Sequence, residues 1–268
     1  MSGAFGADWL DLREPFDAAA RSRALLGHLA VWGRRRRRLR IVDLGAGTGA
    51  NLRWMAPALG EAQDWTLVEF DRALIDAGAQ RLRHVGLPWR YRCLDLAVDL
   101  ERAVEAGTDL ITASALLDLV SEAWLERLVA LQQRTGAALY LALSYDGRIT
   151  WMPEDGDDAA MTTAINRHQR TGKSFGPALG PDAVAVLQRL LASAQGELRL
   201  ERSDWVLEPA AKPLQSALLA GYAEAATMVP GMDADQVQVW AARRRRAIDA
   251  SGSQAIVGHQ DLLFLPPS

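Results

Sequence analysis

Residues 41 to 51, IVDLGAGTGAN, constrain the chain more than any other stretch. An apolar run of strand length breaks into three glycines spaced by single residues, and helix-forming residues follow. The chain must therefore leave a buried strand through a tight turn and enter a helix. The same alternation continues downstream. DWTLVEFD reads as a second strand, followed by a helix from about residue 72 to 84. PWRYRCLDL is a third, with a helix around 100 to 106. DLITASALL is the fourth, and a helix opening at Ser121 puts Leu125, Leu128, Val129 and Gln132 on one face. AALYLALSY is the fifth. Strands alternating with helices at this pitch predict right-handed crossovers and an α/β fold, a parallel sheet covered on both faces.

The flanks follow the same logic less tightly. An amphipathic helix carrying Trp9, Leu10, Leu25, Leu26 and Leu29 precedes LRIVDLG, making residues 1–40 an N-terminal helical cap. After Tyr145 the pattern changes: residues 146 to 180 are rich in Asp, Gly and Pro and read as an insertion over the sheet's edge. Pro181 and Asp182 then open a helix with Val184, Leu187, Leu191 and Ala194 on one face and Gly196 as its stop. This gives one lid insertion over about 146–196. ELRLERSDWVLEP is a sixth strand and QAIVGHQDLLFLP the last. Between them, at about 209–252, lie two helices, near 212 to 228 and 233 to 249, the second with Asp233 and Gln236 placed as a capping box. The main domain spans 41–268.

Charge and cysteine usage narrow the function classes. A net charge of -3 gives no global electrostatic reason to expect nucleic acid as a partner. The runs Arg34 to Arg38 and Arg243 to Arg246 fall at expected helix ends, where cations complement the macrodipole, so they read as solvated ends in preference to phosphate-binding sites. Cys93 is the only cysteine, which excludes a disulfide framework or a multi-cysteine metal site within one chain. His28, His84, His168 and His259 have no metal-ligand spacing, and no metal is expected. No secretory signal pattern and no apolar run of spanning length occur, so the expectation is a cytoplasmic protein without a membrane partner.

In a parallel sheet, the turn after the first strand lies at the carboxyl edge, where ligands bind. Gly45, Gly47 and Ala50 satisfy the dinucleotide fingerprint G-x-G-x-x-A, while Asp43, Gly45, Gly47 and Gly49 satisfy D-x-G-x-G-x-G. Glu69, at the end of the second strand, suits ribose hydroxyls in either case. Two further acids separate the readings. Asp43 welcomes a cationic amino group and repels a pyrophosphate. Asp95, in CLDLA past the third strand, can accept from the exocyclic amine of an adenine. A ligand with an ammonium, a ribose and an adenine but no phosphate fits, and S-adenosylmethionine has that make-up.

The chain also resembles the class I S-adenosylmethionine-dependent methyltransferases. The resemblance rests on VDLGAGTGAN as motif I, TLVEFDRALI, CLDLA and DLITASALLDLV, in that order between residues 41 and 120. It implies a Rossmann-like three-layer sandwich, its mostly parallel seven-stranded sheet ending in an antiparallel strand. By the same resemblance Gly45, Ala46, Gly47 and Gly49 pass under the methionine portion and Asp43 reaches its amino group. Glu69, with Phe70 beside it, holds the ribose, and Asp95, with Leu96, the adenine. Ser114 and Ala115, with Leu116, face the sulfonium. The N-P-P-Y and D-P-P-Y motifs of base-amine and glutamine methylation are missing, SALLD standing in their place. Cys93 is expected inside a strand rather than poised as a nucleophile. A small-molecule acceptor is therefore expected, with an O-, N- or C-nucleophile, polar or anionic.

Acceptor-side candidates come from the same edge. Asp118 follows the fourth strand and either orients a nucleophile or caps the helix at Ser121. The stretch NRHQRTGKSFGPALGP holds Asn166, Arg167, His168, Gln169, Arg170 and Lys173, either as a recognition surface with His168 as a base or as a solvated loop. His259, in GHQD, belongs to a buried polar network or a pocket wall. Tyr145 and Asp146 end the fifth strand. Arg13, Asp17 and Arg21, four apart on one helical face, read as an ion-pair ladder rather than a donor cover. Trp151 and Trp240 could stack on an aromatic substrate, though with nine tryptophans most must pack the interior. Two rivals stay open: an NAD-dependent oxidoreductase, and a non-catalytic protein that binds S-adenosylmethionine.

Overall fold

The computed structural model describes residues 6–267, apart from the side chain of Lys173; residues 1–5 of the expected cap lie outside the described residues. In chain order the elements are α1 (Ala7–Ala20), α2 (Arg23–Gly33), β1 (Leu39–Leu44), α3 (Ala50–Leu59), β2 (Gln63–Glu69), α4 (Arg72–Leu82), β3 (Trp89–Cys93), α5 (Leu100–Ala103) and β4 (Leu110–Ser114). There follow α6 (Glu122–Thr135), β5 (Ala138–Met152), α7 (Asp158–Gln169), β6 (Gly172–Lys173), β7 (Gly176–Pro177), α8 (Ala183–Leu191), β8 (Glu197–Arg202), β9 (Trp205–Leu207), α9 (Lys212–Thr227), α10 (Ala234–Asp249) and β10 (Gln254–Leu265).

The main sheet runs β3-β2-β1-β4-β5-β10-β8, with β9 also on β10. β1 to β5 are mutually parallel, and β10 is antiparallel to both β5 and β8. Period-two alternation sorts the strand residues between two apolar layers. Leu39 and Ile41 of β1 face a layer made by α2 and α3, while Val42 and Leu44 face the layer of α6 and α8. Asp43 shares the parity of Ile41 and so points toward α3. Chain connections diverge between β1 and β4, which opens a crevice above their carboxyl ends.

Several sequence expectations change. The expected single N-terminal helix is two, broken at Arg21–Ser22, where Ser22 caps α2 by accepting from the Leu25 amide at 3.2 Å. The fifth strand does not stop at Tyr145. It continues to Met152 because β10 pairs with it on both sides of a register shift, from Phe264↔Leu139 to Gln254↔Met152. The stretch NRHQRTGKSFGPALGP begins in α7, with Asn166 to Gln169 in its last turn, and continues through the short strands β6 and β7. α8 packs Val184, Leu187 and Leu191 into the layer of α6, so it covers the sheet rather than the lid. The sixth strand is split into β8 and β9. Asp233 caps α10 by accepting from the Asp235 amide at 2.9 Å, but Gln236 bonds to Asp157 rather than closing a capping box.

A third core lies beyond the sheet, between the extended ends of β5 and β10, β9 and helices α7, α9 and α10. Trp151 and Trp240 are fully buried there, each contributing about 4 to 6 kcal/mol of gross transfer free energy. They pack the lid and are not available to a substrate. The second arginine run is not a solvated end: Arg244 is buried and pairs with Asp158, and Arg243 pairs with Asp155 and Asp157.

Candidate active site

The glycine turn has the backbone that its sequence demands. Gly45, Gly47 and Gly49 have φ of 68°, 52° and 80°, all in the left-handed region. A Cβ on Gly47 would stand 2.9 Å from the Leu10 side chain of α1, and that residue thus fixes how closely the N-terminal helix approaches the turn. Ala46 anchors the loop through its amide, which donates to the Val68 carbonyl at 2.9 Å.

Asp43 lies beneath this turn, 1% exposed. Its Oδ1 accepts from Asn51 Nδ2 at 2.8 Å, while Oδ2 is buried and has no partner. Burial with so little compensation raises its pKa to about 7, against the Asn51 hydrogen bond and the charge of Arg21, which lower it. An orphaned buried carboxylate oxygen next to a glycine turn is the signature of a place for a cationic donor. Asn51, at the start of α3, also donates to Thr112 Oγ1 at 3.0 Å and accepts from Arg21 Nη2 at 2.6 Å.

Glu69 ends β2, 7% exposed, and its carboxylate is held by main-chain amides. Oε2 accepts from Gly47 N at 3.0 Å, and Oε1 from Phe70 N and Asp71 N at 2.8 and 3.0 Å. Oε2 thus keeps a lone pair for a hydroxyl. Phe70 is 60% exposed at the same edge, an apolar ring offered to solvent. Asp95, exposed past β3, accepts from the Ala97 amide at 2.9 Å. Leu96 is different: its side chain is in the core and its carbonyl accepts from Trp124 Nε1 at 2.8 Å. Ser114 ends β4, and Ala115 follows with φ of 53°, a left-handed conformation in a residue with a Cβ. Cys93 is the last residue of β3, within the strand as expected, and is exposed.

The ion-pair ladder expected in α1 forms only in part. Arg13 Nε pairs with Asp17 at 2.9 Å, but Arg21 turns under the helix, stacks 4.0 Å over the Trp54 ring and reaches Asn51. With Leu10 on Gly47 and Glu14 paired to Arg53 at 2.6 Å, α1 lies against the glycine turn.

Past the crevice, β5 and β10 bring two candidates together: His259 is the register partner of Tyr145, their rings 6.3 Å apart. Asn166 Nδ2 donates to the Gly147 carbonyl at 2.9 Å, so its Oδ1 must face Tyr145, whose hydroxyl donates to it at 2.8 Å. Burial, first, and then the nearby Tyr222, Asp146 and Asp118 push the Tyr145 pKa far up, and the phenol stays protonated. His259 is 5% exposed, its Nδ1 buried without a partner, and burial lowers its pKa to about 3. It is a neutral imidazole, 4.9 Å from the Trp205 ring, and too weak a base to collect a proton at neutral pH. Asp118 sits in the short turn Leu117–Leu119 and contributes to the field at Tyr145, while Ser121 itself caps α6 by accepting from Trp124 N at 3.3 Å. The helix cap is therefore supplied without Asp118. His168 is two positions beyond Asn166 on α7, a spacing that does not share a helical face, so the group around Tyr145 does not include it. Arg170 is committed to Asp182 at 2.7 Å. The Lys173 side chain lies outside the described residues. Asn51 is an addition to the sequence-derived set, its only sequence signal a polar residue at the start of an otherwise packed helix, whereas Arg21 and Asn166 lie in stretches already singled out.

Residues 41–135 match the family model of a methyltransferase domain. Among solved structures, a cyclopropane-fatty-acyl-phospholipid synthase-like protein from Lactobacillus casei is similar, with a TM-score of 0.53 and 13% identity, over 94% of this chain and 99% of that one. The YcgJ protein of Bacillus subtilis is similar with a TM-score of 0.52 and 11% identity, over 92% of this chain and 100% of that one. No curated protein matches the sequence. The two likenesses show the fold, and residues 41–135 are similar to a methyltransferase domain. The sheet is mostly parallel with its last strand antiparallel, as the resemblance implied, but has eight strands rather than seven because the sixth is split into β8 and β9.

Proposed function

We propose that the chain transfers a methyl group from S-adenosylmethionine to a small polar acceptor bound between the glycine turn and the lid. The observation that carries this reading is Asp43, whose buried, unpartnered Oδ2 lies at a turn of left-handed glycines. Asp43 would take the ammonium of the methionine portion, Glu69 the ribose hydroxyls, and Asp95 the exocyclic amine of an adenine lying beside the exposed Phe70. Ser114 and Ala115 would line the sulfonium side. A pyrophosphate would meet the Asp43 carboxylate, which disfavours the dinucleotide reading. When bound, S-adenosylmethionine supplies an electrophilic methyl group on a sulfonium. The chain's own residues align the nucleophile and exclude water.

The acceptor's chemistry is read from its side of the crevice. Tyr145 donates its hydrogen bond to Asn166 and presents lone pairs; His259 is neutral; Asp118 adds negative potential, while Asp146 is paired with Arg148. This supports an acceptor that donates hydrogen bonds, an amine or hydroxyl, over an anionic one, with Asp118 the group able to orient it. Among the described residues no acid, histidine or cysteine cluster suits a metal ion, and no helix is long and apolar enough to cross a membrane. The test is transfer of isotope-labelled methyl from S-adenosylmethionine into a metabolite extract, read by mass spectrometry. A labelled small molecule is the expected product, and Tyr145→Phe should slow its formation without changing affinity for S-adenosylhomocysteine. Cofactor binding with no labelled product would instead support a non-catalytic binding protein.

A further inference from the structure

At the opposite edge of the sheet, where β1, β2 and β4 begin, lies a depression of about 670 Å³. Arg36, Arg37, Arg38, Arg40, Gly107 and Asp109 line it. The backbone of the run is pinned there: Asp109 accepts from Arg40 N at 2.9 Å and from Arg36 Nε at 3.3 Å, and the Arg36 guanidinium stacks on the Trp32 ring at 3.3 Å. Gly107, with φ of 82°, makes room for Arg40, whose Nη1 would be 2.8 Å from a Cβ at that position. Asp109 is thus spent on the backbone and on Arg36. Among the described residues no carboxylate pairs with Arg37, Arg38 or Arg40. Three guanidiniums around one concavity repel each other, and Asp109, the one carboxylate among the lining residues, offsets only part of that repulsion.

We propose that this depression binds the di- or triphosphate group of a small molecule. A linear polyphosphate brings several negative charges over a span that adjacent guanidiniums match, and each guanidinium can grip a phosphate with two parallel hydrogen bonds. The volume lies in the small-ligand range of roughly 300 to 1,000 Å³. An extended nucleic acid is disfavoured on the β3 side, where the cations beyond the depression are paired: Arg90 faces Asp64 at 3.7 Å and Arg92 pairs with Glu105 at 2.8 Å. On that side no continuous basic stripe leads away from the site. The site is also separate from the methyl-transfer crevice, since β1 lies between them, six residues or about 20 Å long.

Calorimetric titration of the full chain with sodium tripolyphosphate, at low and at physiological salt, tests this. Tripolyphosphate should bind at least roughly tenfold more tightly than orthophosphate, and R37E/R38E should weaken it by roughly tenfold or more. Arg40→Gln should weaken it to a smaller extent, while affinity for S-adenosylhomocysteine stays unchanged in both variants. The proposal is overturned if tripolyphosphate binds no better than orthophosphate, or if neither variant changes its affinity. It is equally overturned if an RNA oligonucleotide binds more tightly than tripolyphosphate with affinity that grows with length, because the patch would then be a nucleic-acid surface.

Discussion

Asp43 keeps its proton up to about pH 7 because burial strips the carboxylate of water, while the Asn51 hydrogen bond and the Arg21 charge restore only part of the loss. That preference for the neutral form corresponds to about 4 kcal/mol. A ligand ammonium at Oδ2 reverses it by pairing with the ionised form, so binding expels a proton. Affinity for S-adenosylhomocysteine should therefore fall as pH drops through 7, by up to roughly tenfold per pH unit, and level off above it. Asp43→Asn should weaken binding by roughly 10- to 100-fold at pH 8 and flatten the profile; isothermal titration across pH 5.5 to 8.5 reads both. The positions of Asp43 and Glu69 at the turn were legible in the sequence because a strand's end and a glycine turn fix where their side chains go. Arg21 was not. Its four-residue spacing from Asp17 predicts a partner on its own helix, whereas the helix ends there and the guanidinium finds Trp54 and Asn51, distant in sequence.

At the scale of elements, the lid hangs on one helix and one strand end. Arg244 of α10, 2% exposed, bonds to Asp158 and to the Pro153 carbonyl, and Trp240 donates to Asp158 at 2.8 Å. Removing the guanidinium leaves a half-buried carboxylate with only the Trp240 indole and the Asp155 amide as donors. Arg244→Ala should cost about 3 to 5 kcal/mol in urea unfolding, well above the 0 to 1 kcal/mol expected for an exposed pair such as Arg189–Glu122. Neither the strand extension nor this ion-pair network was legible. Asp146 and Gly147 are turn-formers by local propensity, and the β10 ladder overrides them, with Arg148 pairing Asp146 and Asp204 across the bulge. Gln236 sits at capping-box spacing but spends its amide on Asp157. Local rules propose a bond, and the better-placed distant acceptor takes it.

Over the whole molecule, α1 joins two parts that the sequence shows only as separate segments. One side of it meets the glycine turn through Leu10; the other packs Trp9, Leu12 and Phe16 against the lid core, with Asp17 accepting from Trp205 Nε1 at 2.9 Å. A ligand under the turn should thus quiet both. Hydrogen exchange is expected to slow in α1 and in β9 when S-adenosylhomocysteine is added, and slowing confined to residues 41–71 would show that the helix is not a cover. The sheet itself was readable because β1, β2, β4 and β5 are buried apolar runs of ordinary strand length; how the caps close over it depends on contacts between segments up to 239 residues apart, such as Ser22 N on Asp261 at 2.8 Å. The central claim is that the glycine turn and its acids hold a phosphate-free adenosyl sulfonium. Calorimetric titration of the purified chain with S-adenosylhomocysteine and, separately, NADH measures it directly. The account predicts saturable binding of S-adenosylhomocysteine that is lost in Gly47→Val, and none of NADH; tight NADH binding with no heat from S-adenosylhomocysteine would contradict it.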